Sequence, residues 1–170
     1  MGIDSTAYKI VFVLHLMTAI AGFGGVLWNG VYGAQAKQRQ GVGGLAIGEA
    51  SEVVSKFAEK VILAVPVFGI LLVVLSDGVW EFSQVWVGLS LALFVVVYTF
   101  ALLVQSKNGE RMNDLARELV AAGPPPSGAS GPPPQVAQME ALEKKLGMGG
   151  AFLTISLVVL VALMVFKPGL

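Results

Sequence analysis

Residues 8–33 read YKIVFVLHLMTAIAGFGGVLWNGVYG, and this run decides the fold. A hydrocarbon core ~30 Å thick takes about 20 helical residues to cross. The run is long and apolar enough to do so, and lipid offers its backbone no hydrogen-bond partners, so it crosses as a helix. It also carries the only histidine of the chain, His15. On a helical wheel His15, Thr18, Gly22, Gly25 and Asn29 fall on one face, while Val11, Phe12, Leu14, Leu16, Ile20, Phe23, Val26 and Leu27 take the others. Polar groups inside a bilayer turn away from lipid. Small residues on the same face admit another helix or a flat ligand. The polar, small stripe is therefore expected to be the covered side, with the rest of the chain arranged to cover it.

Three more stretches are long enough to cross. The four spans are read as residues 9–31, 57–76, 82–104 and 151–166, the last borrowing from 148–150. Four apolar runs cannot close a barrel. The fold class is thus all-α, a polytopic bundle of four transmembrane helices with amphipathic helices outside the bilayer, in one domain. Composition agrees. Charged residues are 13% of the 170 and hydrophobic ones 55%, whereas a soluble domain carries roughly 25% charged residues. The expected partner is the lipid bilayer. A formal net charge of zero gives no field to draw nucleic acid. The absence of cysteine removes disulfides, thiolate metal sites and cysteine nucleophiles. The first run exceeds the ~7–15 apolar residues of a signal peptide, so a cleavable leader is not expected.

Basic residues mark the cytoplasmic side of a membrane protein. Lys37, Arg39, Lys56, Lys60, Lys107, Arg111, Arg117, Lys144 and Lys145 lie in the two long segments between spans, leaving only Lys9 and Lys167 opposite. This predicts a bacterial inner-membrane protein with both termini outside. Tyr8, Trp80, Phe82, Trp86 and Phe166 are expected in an outer aromatic belt, and Trp28, Tyr32 and Phe57 in an inner one. Residues 35–48, rich in Gly and Gln, read as a loop, and 49–60 as a helix leading into the second span. Pro66 predicts a kink near 62–66. Residues 108–146 read as a helical hairpin, 108–122 and 135–146, interrupted by GPPPSGASGPPP at 123–134, a linker with polyproline II character. Asp77 and Glu81 read as caps of the third span, and Glu49, Glu52 and Glu59 as a solvated face shared with lysines.

His15 is expected ~9 Å inside Lys9, level with Ser90 on the third span and Met164 on the fourth. Two readings stay open. One is a neutral imidazole hydrogen-bonded to Ser90 or to a backbone carbonyl. The other is a metal ligand, above all an axial ligand of haem b, with Met164, Met17 or His15 of a second copy as the other, and with Ser90, Thr18, Gly22 and Gly25 around it. A lone histidine cannot build a tetrahedral zinc site. No catalytic residue is assigned, because no acid lies at the depth of His15 to pair with it.

YKIVFVLH at 8–15, GFGGVLWNGVYGAQA at 22–36, LSDGVWEFSQVWV at 75–87 and GPPPQVAQMEALEKKL at 131–146 resemble an uncharacterised family of bacterial, notably actinobacterial, four-helix integral membrane proteins. That resemblance implies a fold and a location. Leu14-His15 followed by Gly24-Gly25 is similar to the first helix of copper-resistance D-type proteins and of the membrane protoporphyrinogen oxidase, which implies haem or copper at such a histidine. The expected function is a non-enzymatic structural or accessory component of a membrane assembly, forming a homo-oligomer or larger complex through the small-residue face of the first helix. The alternative is a b-type haem redox protein using His15. A small-solute or lipid transporter, suggested by Pro66 and the glycine-rich face, is third.

Overall fold

The structure is a computed structural model that describes residues 2–123 and 131–169. Every regular element among these residues is helical: α1 (Thr6–Arg39), α2 (Gly41–Ile62), α3 (Ala64–Leu75), α4 (Val85–Phe100), a π-helical segment (Ala101–Ser106), α5 (Lys107–Ala122) and α6 (Pro134–Phe166). They stack into four long rods, Thr6–Arg39, Gly41–Leu75, Val85–Ala122 and Pro134–Phe166, each with a window apolar and long enough to cross a membrane.

Both ends of the chain and the turn between the second and third rods meet at one end of the bundle. There Trp80 Nε1 donates to Tyr8 Oη at 2.9 Å, and Lys167 Nζ lies 3.6 Å from the Trp80 ring centroid. Trp86 packs edge-on against Trp80 at 5.6 Å and donates its Nε1 to Gln84 Oε1. Trp86 is therefore buried in the core, whereas Phe82 and Phe166 are exposed as an aromatic belt requires. The turn is held by Ser76, fully buried, whose Oγ accepts from Trp80 N at 2.9 Å. Asp77 and Gly78 take the left-handed conformation that such a reversal needs. The capping expected of Asp77 and Glu81 is not what starts α4. Its N-cap is Gln84, without a side-chain bond, and Glu81 instead accepts from Ser83 Oγ.

The first two rods form an antiparallel pair packed on the small face of α1. A Cβ added at Gly22 would lie 2.5 Å from Ile62 Cγ1 and 3.2 Å from Ile62 N. One added at Gly25 would lie 2.9 Å from Ala58 Cβ. Only residues without side chains let the backbones come this near. Residues 35–48, expected as a loop, are helical except at Gln40, where φ of 46° turns the chain back. Two of the glycines there serve close contact: a Cβ at Gly44 would meet the Ala36 carbonyl oxygen at 2.5 Å, and one at Gly48 would run into the Asn113 side chain. Tertiary contact has overridden low helix propensity.

The second rod breaks at Leu63, between α2 and α3. Pro66 has no N–H to offer the Ile62 carbonyl, so the ladder cannot continue unbroken. The third rod runs from the apolar α4 through the π segment into the amphipathic α5. α5 packs on α6, which contains the second helix of the expected hairpin, and it also packs on α2. Gly123 ends α5 at φ 70°, and Pro134 opens α6 at its first turn. The remainder of the expected proline linker, 124–130, lies outside the described residues.

Gly24 and Gly30 differ from Gly22, since nothing lies within 4 Å of a Cβ at either. Gly22→Leu is expected to lower thermal stability in detergent by about 1–3 kcal/mol, the usual range for overpacking. Gly24→Ala is expected to be neutral or slightly stabilising. Melting curves of the two purified variants read the difference.

Candidate functional site

The covered face of α1 ends in His15. Its Nδ1 lies 3.0 Å from the Val65 carbonyl oxygen, one residue before Pro66. A carbonyl only accepts, so Nδ1 carries the proton, and in the neutral imidazole Nε2 then keeps the lone pair. A Cβ at Gly69 would lie 3.3 Å from the imidazole Cε1, so a side chain there would crowd the ring. Thr18 Oγ1 turns back to its own helix, within reach of the Leu14 and His15 carbonyls at 2.8 and 3.0 Å. Asn29 Oδ1, two turns past Gly22, lies 3.1 Å from Ser51 Oγ and 3.2 Å from Ser55 Oγ. The face therefore meets α2 and α3 from His15 to Asn29.

His15, Thr18, Gly22 and Gly25 thus share one seam. Ser90 and Met164 are not joined to it by any described contact. Ser90 is 4% exposed on α4, and its hydroxyl has no partner among the described residues. Met164 is 38% exposed.

One feature suits a haem ligand: an imidazole pinned through Nδ1 offers Nε2 to a metal. The surroundings do not suit an enclosed porphyrin. An apolar cavity between α1, α2, α4 and α6 has a volume of ≈ 40 Å³, and its walls, Phe23, Ile62, Phe94, Tyr98 and Leu157 among them, do not include His15. Sites for drug-sized ligands occupy roughly 300–1,000 Å³. Of the two occupants expected at Gly22 and Gly25, another helix or a flat ligand, the structure has the helix, through Ile62 and Ala58. No group of three or more His, Cys, Asp or Glu among the described residues is arranged to hold a metal ion.

A second polar cluster was not visible in the sequence. Where the apolar part of the third rod gives way to α5, the π segment directs Ser106 Oγ to the Glu59 carboxylate on α2. Tyr98 Oη donates to the Glu59 carbonyl, and Gln105 Nε2 donates to the Leu146 carbonyl on α6 at 2.9 Å. Since Nε2 is held by that carbonyl, Oε1 is the amide atom left buried without a partner. Gly149 leaves space for it. The only sequence signal was that Gln105 and Ser106 belong neither to the apolar run nor to the amphipathic one.

Beyond this level α2 and α5 are joined by charge. Arg117 Nε meets Glu49 at 2.9 Å, Lys56 bridges Glu52 at 2.6 Å and Glu110 at 3.2 Å, and Asn113 Nδ2 donates to Glu52 at 2.9 Å. The acids expected on a solvated face are thus tied across two helices. The Lys56 hydrogen bond, followed by that of Asn113, holds the Glu52 carboxyl below its ordinary range. A lowered folded-state pKa gives stability that is present above the ordinary carboxylate value and is lost as pH falls through the folded one. Amide protection in α5, taken relative to the intrinsic exchange rate at each pH, is therefore expected to fall below about pH 4. Glu52→Gln is expected to be less protected at neutral pH and to lose part of that pH dependence.

Four apolar helical rods with paired polar seams define a multi-pass integral membrane protein. A family model described as "Predicted integral membrane protein (DUF2269)" matches residues 9–168. The chain belongs to that family. No curated protein and no solved structure matches it.

Proposed function

We propose that this is a non-enzymatic structural or accessory component of a membrane assembly, placed in a bacterial cytoplasmic membrane with both termini outside. One observation carries the reading: polar side chains on the seam of α1 are spent on hydrogen bonds within the chain. His15 holds the Val65 carbonyl, Asn29 lies against Ser51 and Ser55, and Thr18 bonds its own helix. The small face of α1 is likewise taken up by α2 and α3, so a contact with a partner or a second copy falls on the opposite face. That face is apolar and open, with Met17, Ile20 and Trp28 all more than half exposed. The orientation is supported by nine of the eleven basic residues lying between spans on one side.

Cysteines introduced singly at Met17 and Ile20 are expected to give cross-linked species larger than one chain in native membranes, and one introduced at the covered Gly25 none. A chain that stays single from every outward position, and purifies as a monomer without a partner, would overturn the assembly reading. The orientation has its own test. With no native cysteine to interfere, Ser127→Cys is expected to resist an impermeant thiol reagent in intact cells, and Ser5→Cys to react.

A further inference from the structure

The hydrogen bonds around the π segment place three rods in register. Ser106 bonds Glu59, and Gln105 bonds the Leu146 carbonyl. Lys60, Lys107 and Lys145 are the immediate chain neighbours of those residues, and Lys144 adjoins Lys145. All four lysines are exposed. The level lies about 20 residues along the third rod from Val85, hence ~30 Å from the end marked by Trp80 and Lys167. That is one hydrocarbon thickness. The lysines therefore ring the bundle at headgroup depth, on the side opposite the termini.

The nearby acids do not neutralise them. Glu110 is paired with Lys56 and Glu143 with Lys37 at 2.7 Å, while Glu59, bonded to the Ser106 hydroxyl, and Glu140, on the same surface hollow as Lys144, make no described ion pair with any of the four. The four lysines make none of the ion pairs described. Lysine stems lie along apolar surface while the ammonium reaches for the interface, where a phospholipid phosphate meets it.

We propose that Lys60, Lys107, Lys144 and Lys145 form a belt that binds the headgroups of anionic phospholipids in the leaflet at this end of the bundle. The proposal holds whichever way round the protein sits and whether or not it joins an assembly. It is tested by purifying the full chain in mild detergent with equal amounts of phosphatidylglycerol and phosphatidylcholine and weighing the lipids it retains. Phosphatidylglycerol is expected to exceed phosphatidylcholine at least about fivefold, the factor that one lysine near an anionic surface contributes. The excess is expected to vanish in about 1 M salt, where charges are screened beyond ~3 Å. It is also expected to vanish in the K60Q/K107Q/K144Q/K145Q chain and to persist when the same four become arginine. Equal retention of the two lipids by the unaltered chain would overturn the proposal, as would an excess indifferent to salt or to the glutamine substitutions. Loss of the lipid to a matching concentration of inorganic phosphate would also overturn it, by assigning the belt to free phosphate. If the glutamine chain does not fold, the salt series on the unaltered chain decides alone.

Discussion

No methyl group fits between the first two rods at Gly22. That steric limit governs much of what surrounds it. Lipid is as apolar as leucine, so helices in a bilayer gain little from hiding apolar side chains and much from close packing and shared hydrogen bonds. The seam of α1 supplies both. Glycines bring the backbones together in the middle, and at either side polar groups close the contact, His15 on the Val65 carbonyl and Asn29 on Ser51 and Ser55. Proline contributes from the other side of the seam. By interrupting the second rod at Leu63 it divides the wall into α2, which receives the glycines, and α3, which receives the imidazole.

The extension beyond the membrane follows different physics. Here water competes, single exposed ion pairs are worth only about 0–1 kcal/mol, and the contacts come as a network. Glu52 alone is approached by Lys56, Asn113 and Arg117. Leu115, on the same helix as Asn113 and Arg117, is almost completely buried and gives α5 its apolar anchor. One chain thus uses glycine packing where there is lipid and charge with a leucine core where there is water.

The broad architecture was legible because its causes are local. Apolar run length marks the spans, and the period of Leu115 and Leu119 marks α5. What escaped the sequence depends on partners distant along the chain. Residues 35–48 read as a loop because glycine is a poor helix former, and nothing local shows that Gly44 will face the Ala36 carbonyl. Trp86 read as a belt residue by its position, yet Trp80 and Gln84 draw it into the core. Glu59 read as solvated, and only the register of the third rod shows Ser106 waiting for it. For the histidine, two hydrogen-bonding partners were open from the chain alone, Ser90 or a carbonyl. The structure selects the carbonyl beside Pro66, a geometry that no spacing along α1 reveals.

The π segment carries a consequence for how this chain tolerates change in length. A π turn takes up more residues than an α turn, so Ala101–Ser106 behaves as an insertion stored inside an otherwise regular rod. Six residues at π pitch turn the rod through about the angle that five turn it at α pitch, so removing one residue there lets the rod rewind as plain α-helix with α5 still facing α2. Asn113 and Arg117 would keep their places opposite Glu52 and Glu49. A residue lost from the regular helix on either side would instead turn α5 by about 100° about its own axis and part both contacts.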